Sequence, residues 1–266
     1  MHDTMSIDFG IFDHLDRGGF ALGELYANRL RLIEAYDRAG FHAYHLAEHH
    51  GTSLGMAPVP GVFLSAVAQR TRRLRFGPSV YVLPVHDPLR LIEEACMLDQ
   101  LSGGRLELGV GRGFSPFEIG FFGVKADESR ERYLEAFQVL MRGLTSSSLT
   151  FEGRHFRYLD VPMVLQPVQR PHPPLWYGLT NVEGAPWAAS LGVNVLMNGP
   201  AARTRPLTET YREELAKAPV DVRARAPKLG LTRHVHVADS DAEALDTAGR
   251  AYAAWYASNA ELWNRF

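Results

Sequence analysis

The chain has 266 residues, of which 46% are apolar and 22% charged, and its formal net charge is −2. The apolar share supports a large core, and the charge balance argues against nucleic acid or an anionic membrane surface as a partner. No apolar run approaches a membrane span and no basic-then-apolar leader opens the chain. The single cysteine, Cys96, excludes an internal disulfide and suits a reducing cytoplasm.

In chain order, short β-like runs alternate with longer helical ones. SIDFGIF (6–12) reads as strand one. Leu25, Leu32, Ile33, Tyr36 and Ala39 recur near helical spacing over 22–39, and Gly40 supplies the stop. AYHLA (43–47) is strand two, and PVPGVFLSAVAQRT (58–71) is a helix with proline near its start. LRFGPSVYVL (74–83) is strand three. The segment 87–104 is a helix that opens on Asp87 as cap and Pro88 at its first position, carries Cys96 as plain packing, and closes on glycines. RLELGVG (105–111) is strand four, followed by a helix from about Asp127 to Leu144.

The alternation breaks at 146–174, a stretch rich in proline and turn residues that reads as an excursion with a short hairpin. LWYGL (175–179) resumes as strand five, with a helix over 185–191. VNVLM (193–197) is strand six, with a helix over 205–216. LGLTRHVHVA (229–238) is strand seven. A last helix begins at a Ser240/Glu243 capping box.

Strands joined by crossover helices imply a parallel sheet, and regular repetition over this length implies a (β/α)8 barrel filling 1–266 as one domain. Seven βα units are present. A closed barrel needs an eighth, so the last unit is expected to lie beyond Phe266.

A βα barrel carries its active site at the carboxyl ends of its strands. The residues there are Phe12, Asp13 and His14; Glu48, His49 and His50; Pro84, His86 and Asp87; Gly111, Arg112 and Gly113; Thr180 and Asn181; and Arg233, His234 and His236. The cluster Glu48-His49-His50 could be a metal site, an acid–base group or a polar strand cap. Spacing argues against a metal: adjacent strand residues point opposite ways. His234 and His236 share a face but sit before the expected strand end, without a third ligand. GVGRG (109–113) is a glycine-flanked arginine after a strand, suited to a phosphate or carboxylate but equally to a structural turn.

Together, "AEHH", the 77–113 block and "PPLWYG…WAASLG" resemble the bacterial luciferase-like flavin monooxygenases, in order and over essentially the whole chain. The resemblance implies a barrel that binds reduced FMN, supplied by a separate flavin reductase, and uses dioxygen to oxidise a small organic substrate through a C4a-peroxyflavin. It makes His49 the active-site histidine beside the flavin, where an imidazole suits proton transfer, with Glu48 and His50 as supports. It makes Arg112 the phosphate ligand and places Ser79 and Val80 under the ring, joined by a cis peptide. Gly111 stands where some luciferases carry a reactive cysteine. His234 matches a substrate-side position, and His14 shares that rim. The turn after strand five departs from the family pattern: in GLTNVEGAP, Asn181 and Gly184 are the expected phosphate donors, and Pro186 cannot donate. Alternatives are an F420-dependent hydride-transfer enzyme on the same fold and a flavin-binding protein without turnover. A homodimer is expected from apolar residues Val62, Phe63, Leu64, Val67, Leu91, Ile92 and Met97 on the second and third helices.

Overall fold

The computed structural model describes residues 7–266. Strand β1 (Ile11–Asp13) is shorter than its predicted run, whose first residue, Ser6, lies outside the described residues. Phe9 still extends the pairing, because its carbonyl accepts from the His42 N–H at 2.7 Å. Helix α1 (Leu22–Ala39) has its predicted bounds and ends on Gly40 at φ 83°, where the absence of a Cβ makes a left-handed cap inexpensive. Strand β2 (Ala43–Leu46) and helix α2 (Pro60–Arg70) follow.

Predicted strand three is two pieces, β3 (Arg75–Pro78) and β4 (Tyr81–Val82), separated by a cis peptide at Ser79–Val80 as the resemblance implied. Helix α3 (Pro88–Ser102) starts where the Asp87 side chain accepts from Arg90 N–H, and stops at Gly103. Cys96 is fully buried on it, and burial pushes its thiol up to about 11, as fits packing. Strand β5 (Leu108–Gly111) leads to a short helix α4 (Pro116–Phe121) that the sequence reading lacks, then to α5 (Ser129–Thr145). The excursion contains the expected antiparallel hairpin, β6 (Ser148–Glu152) with β7 (Arg157–Pro162). Then come β8 (Leu175–Gly178), α6 (Ala185–Leu191), β9 (Asn194–Asn198), α7 (Ala201–Lys217), α8 (Val220–Arg223), β10 (Leu229–Thr232) and α9 (Asp241–Arg265).

The barrel strands are all parallel, in the order β1-β2-β3 and β4-β5-β8-β9-β10. A bridge between Phe76 and Leu106 joins the two runs. Gly77 permits that junction, since a Cβ there would lie 1.6 Å from the Glu107 carbonyl oxygen. The architecture is therefore a (β/α)8-type barrel with seven strand positions among the described residues. The outer edges of β1 and β10 pair with no described strand. An ion pair between Asp8 and Lys228, just before those strands, links the two edges. The core lies between sheet and helices. Ile33, Leu64, Val67, Ile92, Val139 and Leu140 are fully buried from the helices, against Phe76, Leu108 and Val195 from the strands. Each such side chain contributes about 1.5–3 kcal/mol.

Three expectations change. Helix α7 begins at Ala201, four residues before the predicted start, and carries Pro206 inside it. The carbonyl that loses its donor belongs to Ala202, which is exposed, so water replaces the bond. Strand β10 stops at Thr232, and 233–238 is irregular, so the predicted strand over 229–238 is cut short and strand alternation does not put His234 and His236 on one face. Of the seven apolar residues expected at a dimer face, Phe63, Leu64, Val67, Leu91 and Ile92 are buried within the subunit, because the broad α2–α3 contact uses them. Val62 and Met97 stay exposed. Among the described residues no helix is long and apolar enough to cross a membrane.

Candidate active site

The cluster that ends β2 divides into three roles. Glu48 is 3% exposed, and its carboxylate accepts from Val82 N–H at 3.0 Å and meets His50 Nε2 at 2.8 Å and His86 Nε2 at 2.9 Å. Burial by itself would raise its carboxyl, but the hydrogen bonds of His50, His86 and Val82 outweigh that and hold it below the ordinary range. Burial likewise lowers His86, and the bond and charge of Glu48 more than reverse this. Glu48 therefore ties β2 to β4. The His50 ring turns from the barrel mouth onto Phe122, with centroids 4.7 Å apart.

His49 points the other way. Its ring stacks on that of His14 at 5.5 Å and 24°, and Gly55 lets the following loop pass close, since a Cβ there would meet His49 Cβ at 2.7 Å. Its Nδ1 lies 3.2 and 3.3 Å from the two Glu118 carboxylate oxygens. Burial lowers His14 to about 3, with the charges of His49 and His234 adding to the fall. The His14 ring is therefore neutral near pH 7. Asp13 is engaged structurally: it accepts from Leu15 N–H at 2.9 Å and Tyr44 Oη at 2.7 Å and pairs with Arg29.

Helix α9 crosses the mouth. Glu261 accepts from Ser53 N–H at 2.7 Å and Ser53 Oγ at 2.6 Å. Trp255 packs on His14 at 5.9 Å and on His234 at 4.7 Å, and Trp263 packs on Phe114 and Phe117. Trp255 Nε1 is buried without a partner among the described residues. The mouth thus gathers His14, His49 and His234 beneath aromatic rings, although β10 ends before His234. That residue lies beyond the strand and not before its end, as the spacing had suggested.

Around the rim, Gly111 closes β5. A Cβ there would meet Val80 Cγ2 at 2.5 Å, so Gly111 lies directly against the segment that carries the cis Ser79–Val80 bond. Arg112 follows, and Tyr177 stands at the end of β8. Burial raises the Tyr177 phenol, and the charges of Arg112 and of Arg130 in the first turn of α5 partly offset the rise. Neither arginine is in an ion pair among the described residues. Asn181 Oδ1 accepts from Gly184 N–H at 3.1 Å, capping the turn over Val182–Gly184. The expected Gly184 donor is thus used internally, because the Asn181 side chain competes for it.

Sequence reading passed over three residues. Arg130 lies far from Arg112 in sequence, with no local pattern to mark it. Glu107, within the barrel, meets His45 Nε2 at 2.9 Å, Arg75 Nε at 2.7 Å and Trp176 Nε1 at 2.8 Å. Burial would raise its carboxyl, but the His42, His45 and Arg75 side chains hold it well below the ordinary range. Glu118 had a signal, the S-x-x-E pattern of Ser115–Glu118. Ser115 does accept from Glu118 N–H at 3.3 Å. The glutamate, however, is turned to His49 and His50. The acidic group Glu131, Glu135 and His155 could hold a metal by distance. Glu135 is already accepting from the backbone N–H groups of Arg154, His155 and Phe156.

Comparison with known proteins agrees with this architecture. A family model described as luciferase-like monooxygenase matches residues 7–266. The chain is 49% identical over 247 residues to the uncharacterized protein y4wF of Sinorhizobium fredii, covering 93% of this chain and 72% of that one. It is 26% identical over 264 residues to the oxygenase component of the flavin-dependent trigonelline monooxygenase of Acinetobacter baylyi, covering 96% and 73%. The crystal structure of monooxygenase RslO1 from Streptomyces bottropensis superposes with a TM-score of 0.88 at 29% identity, covering 96% and 79%. A family model matched from the first described residue to the last, on a barrel of this topology, shows that the chain belongs to the luciferase-like monooxygenase family.

Proposed function

We propose that the protein is the oxygenase component of a two-component flavin monooxygenase, a single barrel domain that takes reduced FMN from a separate reductase and uses dioxygen to oxidise a small organic substrate. The observation that carries the reading is the placement of His49. It stands at the carboxyl end of β2, under the mouth, with one ring nitrogen engaged by a carboxylate and one face against a neutral His14. The flavin-dependent relative is 26% identical and is named as an oxygenase component, which supports both the cofactor and the partner.

The residues present fit FMN. Arg112 and Arg130 both bring positive charge to the neighbourhood of Tyr177 and suit a phosphate dianion, since charged hydrogen bonds from guanidinium to phosphate are strong. Ser79, Val80 and Gly111, of which the last two lie side by side, are assigned to the flavin ring, and the Asn181 side chain in the turn after β8 to its phosphate end. Reduced FMN, when bound, supplies the electrons that activate dioxygen. The chain's own residues do the rest. Arg112 and Arg130 hold the phosphate, α9 and its aromatic residues exclude water, His49 holds or moves a proton at its free nitrogen, and His14 and His234 face the substrate. Val62 and Met97, together with Leu101, remain as apolar surface for a second copy of the chain.

The test is His49→Ala. It should bind reduced FMN within about 3-fold of the parent, while product per dioxygen consumed falls by ~10²–10⁴, the usual worth of one acid–base group. Hydrogen peroxide should appear in place of product. Tight binding of reduced F420 with no binding of reduced FMN would overturn the cofactor assignment. A molecular mass of one subunit at micromolar concentration would overturn the dimer.

A further inference from the structure

We infer that Glu118 is the positioning residue for His49: it fixes the imidazole proton on Nδ1 and leaves the Nε2 lone pair for the barrel mouth. The inference rests on the proton role proposed for His49 and adds the group that sets its tautomer. Both oxygens of Glu118 lie within 3.3 Å of His49 Nδ1. A carboxylate only accepts, so the nitrogen facing it carries the hydrogen. The two side chains are 14% and 11% exposed, so water competes weakly for that bond.

The carboxylate is itself held from two sides. Glu118 Oε2 accepts from His50 N–H at 2.7 Å. Its backbone belongs to α4, which is seated by the Ser115 cap and by Ile119 packed on Val82 and Val124. On the other flank, Phe121 packs so closely on Gly51 that a Cβ there would come within 2.8 Å of its ring. The S-x-x-E glutamate, whose usual task is to reach back to its own helix cap, instead bridges α4 to the segment after β2. A proton accepted at Nε2 makes an imidazolium whose Nδ1–H stays bonded to Glu118. Returning that proton restores the neutral ring in the same tautomer, as in other carboxylate-oriented histidines.

A purely structural carboxylate, present only to cap His50 N–H, would leave the tautomer of His49 untouched. Glu118→Gln separates the two roles. The His50 N–H requires an acceptor, so the amide oxygen takes that side and the amide NH2 faces Nδ1. A donor there moves the imidazole proton to Nε2 and removes the lone pair from the mouth.

The experiment is a two-bond 1H–15N spectrum of 15N-histidine-labelled protein without flavin, near pH 8, above the ordinary imidazole range. His49 is assigned by its loss in His49→Ala. The parent should show the Nδ1–H form and Glu118→Gln the Nε2–H form. The variant should bind reduced FMN within about 3-fold, and its yield of product per dioxygen should fall by ~10²-fold. The same tautomer in both proteins overturns the inference. So does an Nε2–H form in the parent, which needs no variant to be seen. A tautomer that changes with full coupling retained would leave the orientation standing and overturn the proton role of His49 itself.

Discussion

Glu48 and His86, 38 residues apart in sequence, meet at 2.9 Å with the glutamate side chain wholly enclosed. The same carboxylate takes His50 and the Val82 N–H, so one buried charge fastens the ends of β2 and β4. Removing it leaves the buried Val82 N–H and the part-buried His50 and His86 rings short of a partner. Glu48→Ala should cost ~3–5 kcal/mol in urea unfolding, the usual loss for breaking a buried pair from one side. Glu48 is held low and His86 high, so the pair contributes between the two. Its stability falls as pH drops through the depressed Glu48 value, and falls again as pH rises through the raised His86 value. A loss under 1 kcal/mol would show that the pair is dispensable.

His14 carries the opposite sign. Its folded value is lowered to about 3, against about 6.5 for an unfolded imidazole. The unfolded chain therefore binds the extra proton first. The stability due to neutral His14 is fully present above about pH 6.5 and is lost as pH falls toward 3. His14→Gln should flatten that part of the stability–pH curve, as read by thermal melts between pH 4 and 7. Parallel curves for parent and variant would mean that His14 is not held neutral by its surroundings.

The charges of Arg112 and Arg130 both act on the Tyr177 phenol, and both are proposed to hold the phosphate. Either arginine changed to alanine should weaken reduced FMN by about 10- to 100-fold, the worth of a charged hydrogen bond. Riboflavin, which lacks the phosphate, should change by less than about 3-fold. Fluorescence titration of both flavins decides it, and equal losses would remove the arginines from the phosphate site.

Gly77 is the junction of the two strand runs. A methyl group there meets the Glu107 backbone carbonyl, which is fixed by the Phe76–Leu106 bridge. Gly77→Ala should destabilise by ~3 kcal/mol or more, at the upper end of overpacking effects. It should also shift the near-ultraviolet signal of Trp176, whose indole bonds Glu107. A parent-like melting curve would show that the junction can open without cost.

The alternation of short apolar runs with helical spacing was enough to fix the barrel class, the bounds of α1 and α6 and the Asp87 and Gly40 caps. Each of these depends on residues within a turn or two of one another. The position of His49 and Arg112 at the rim was likewise legible, because a barrel strand delivers its last residues there whatever the rest of the chain does; the roles proposed for them came from the family resemblance. What sequence alone left open was which groups meet across the barrel. Nothing near Glu118 says that its carboxylate passes over its own helix cap for an imidazole 69 residues away. Nothing in the pattern of α9 says that it lies across the mouth, where Glu261 takes Ser53 and Trp255 takes His14. Periodicity shows that a helix has an apolar face and not what that face will cover. Local order follows from hydrogen bonds and side-chain spacing along the chain. The contact of Glu118 with His49 and the lowered pKa of His14 follow from groups and burial contributed by distant segments, which only the tertiary packing brings together.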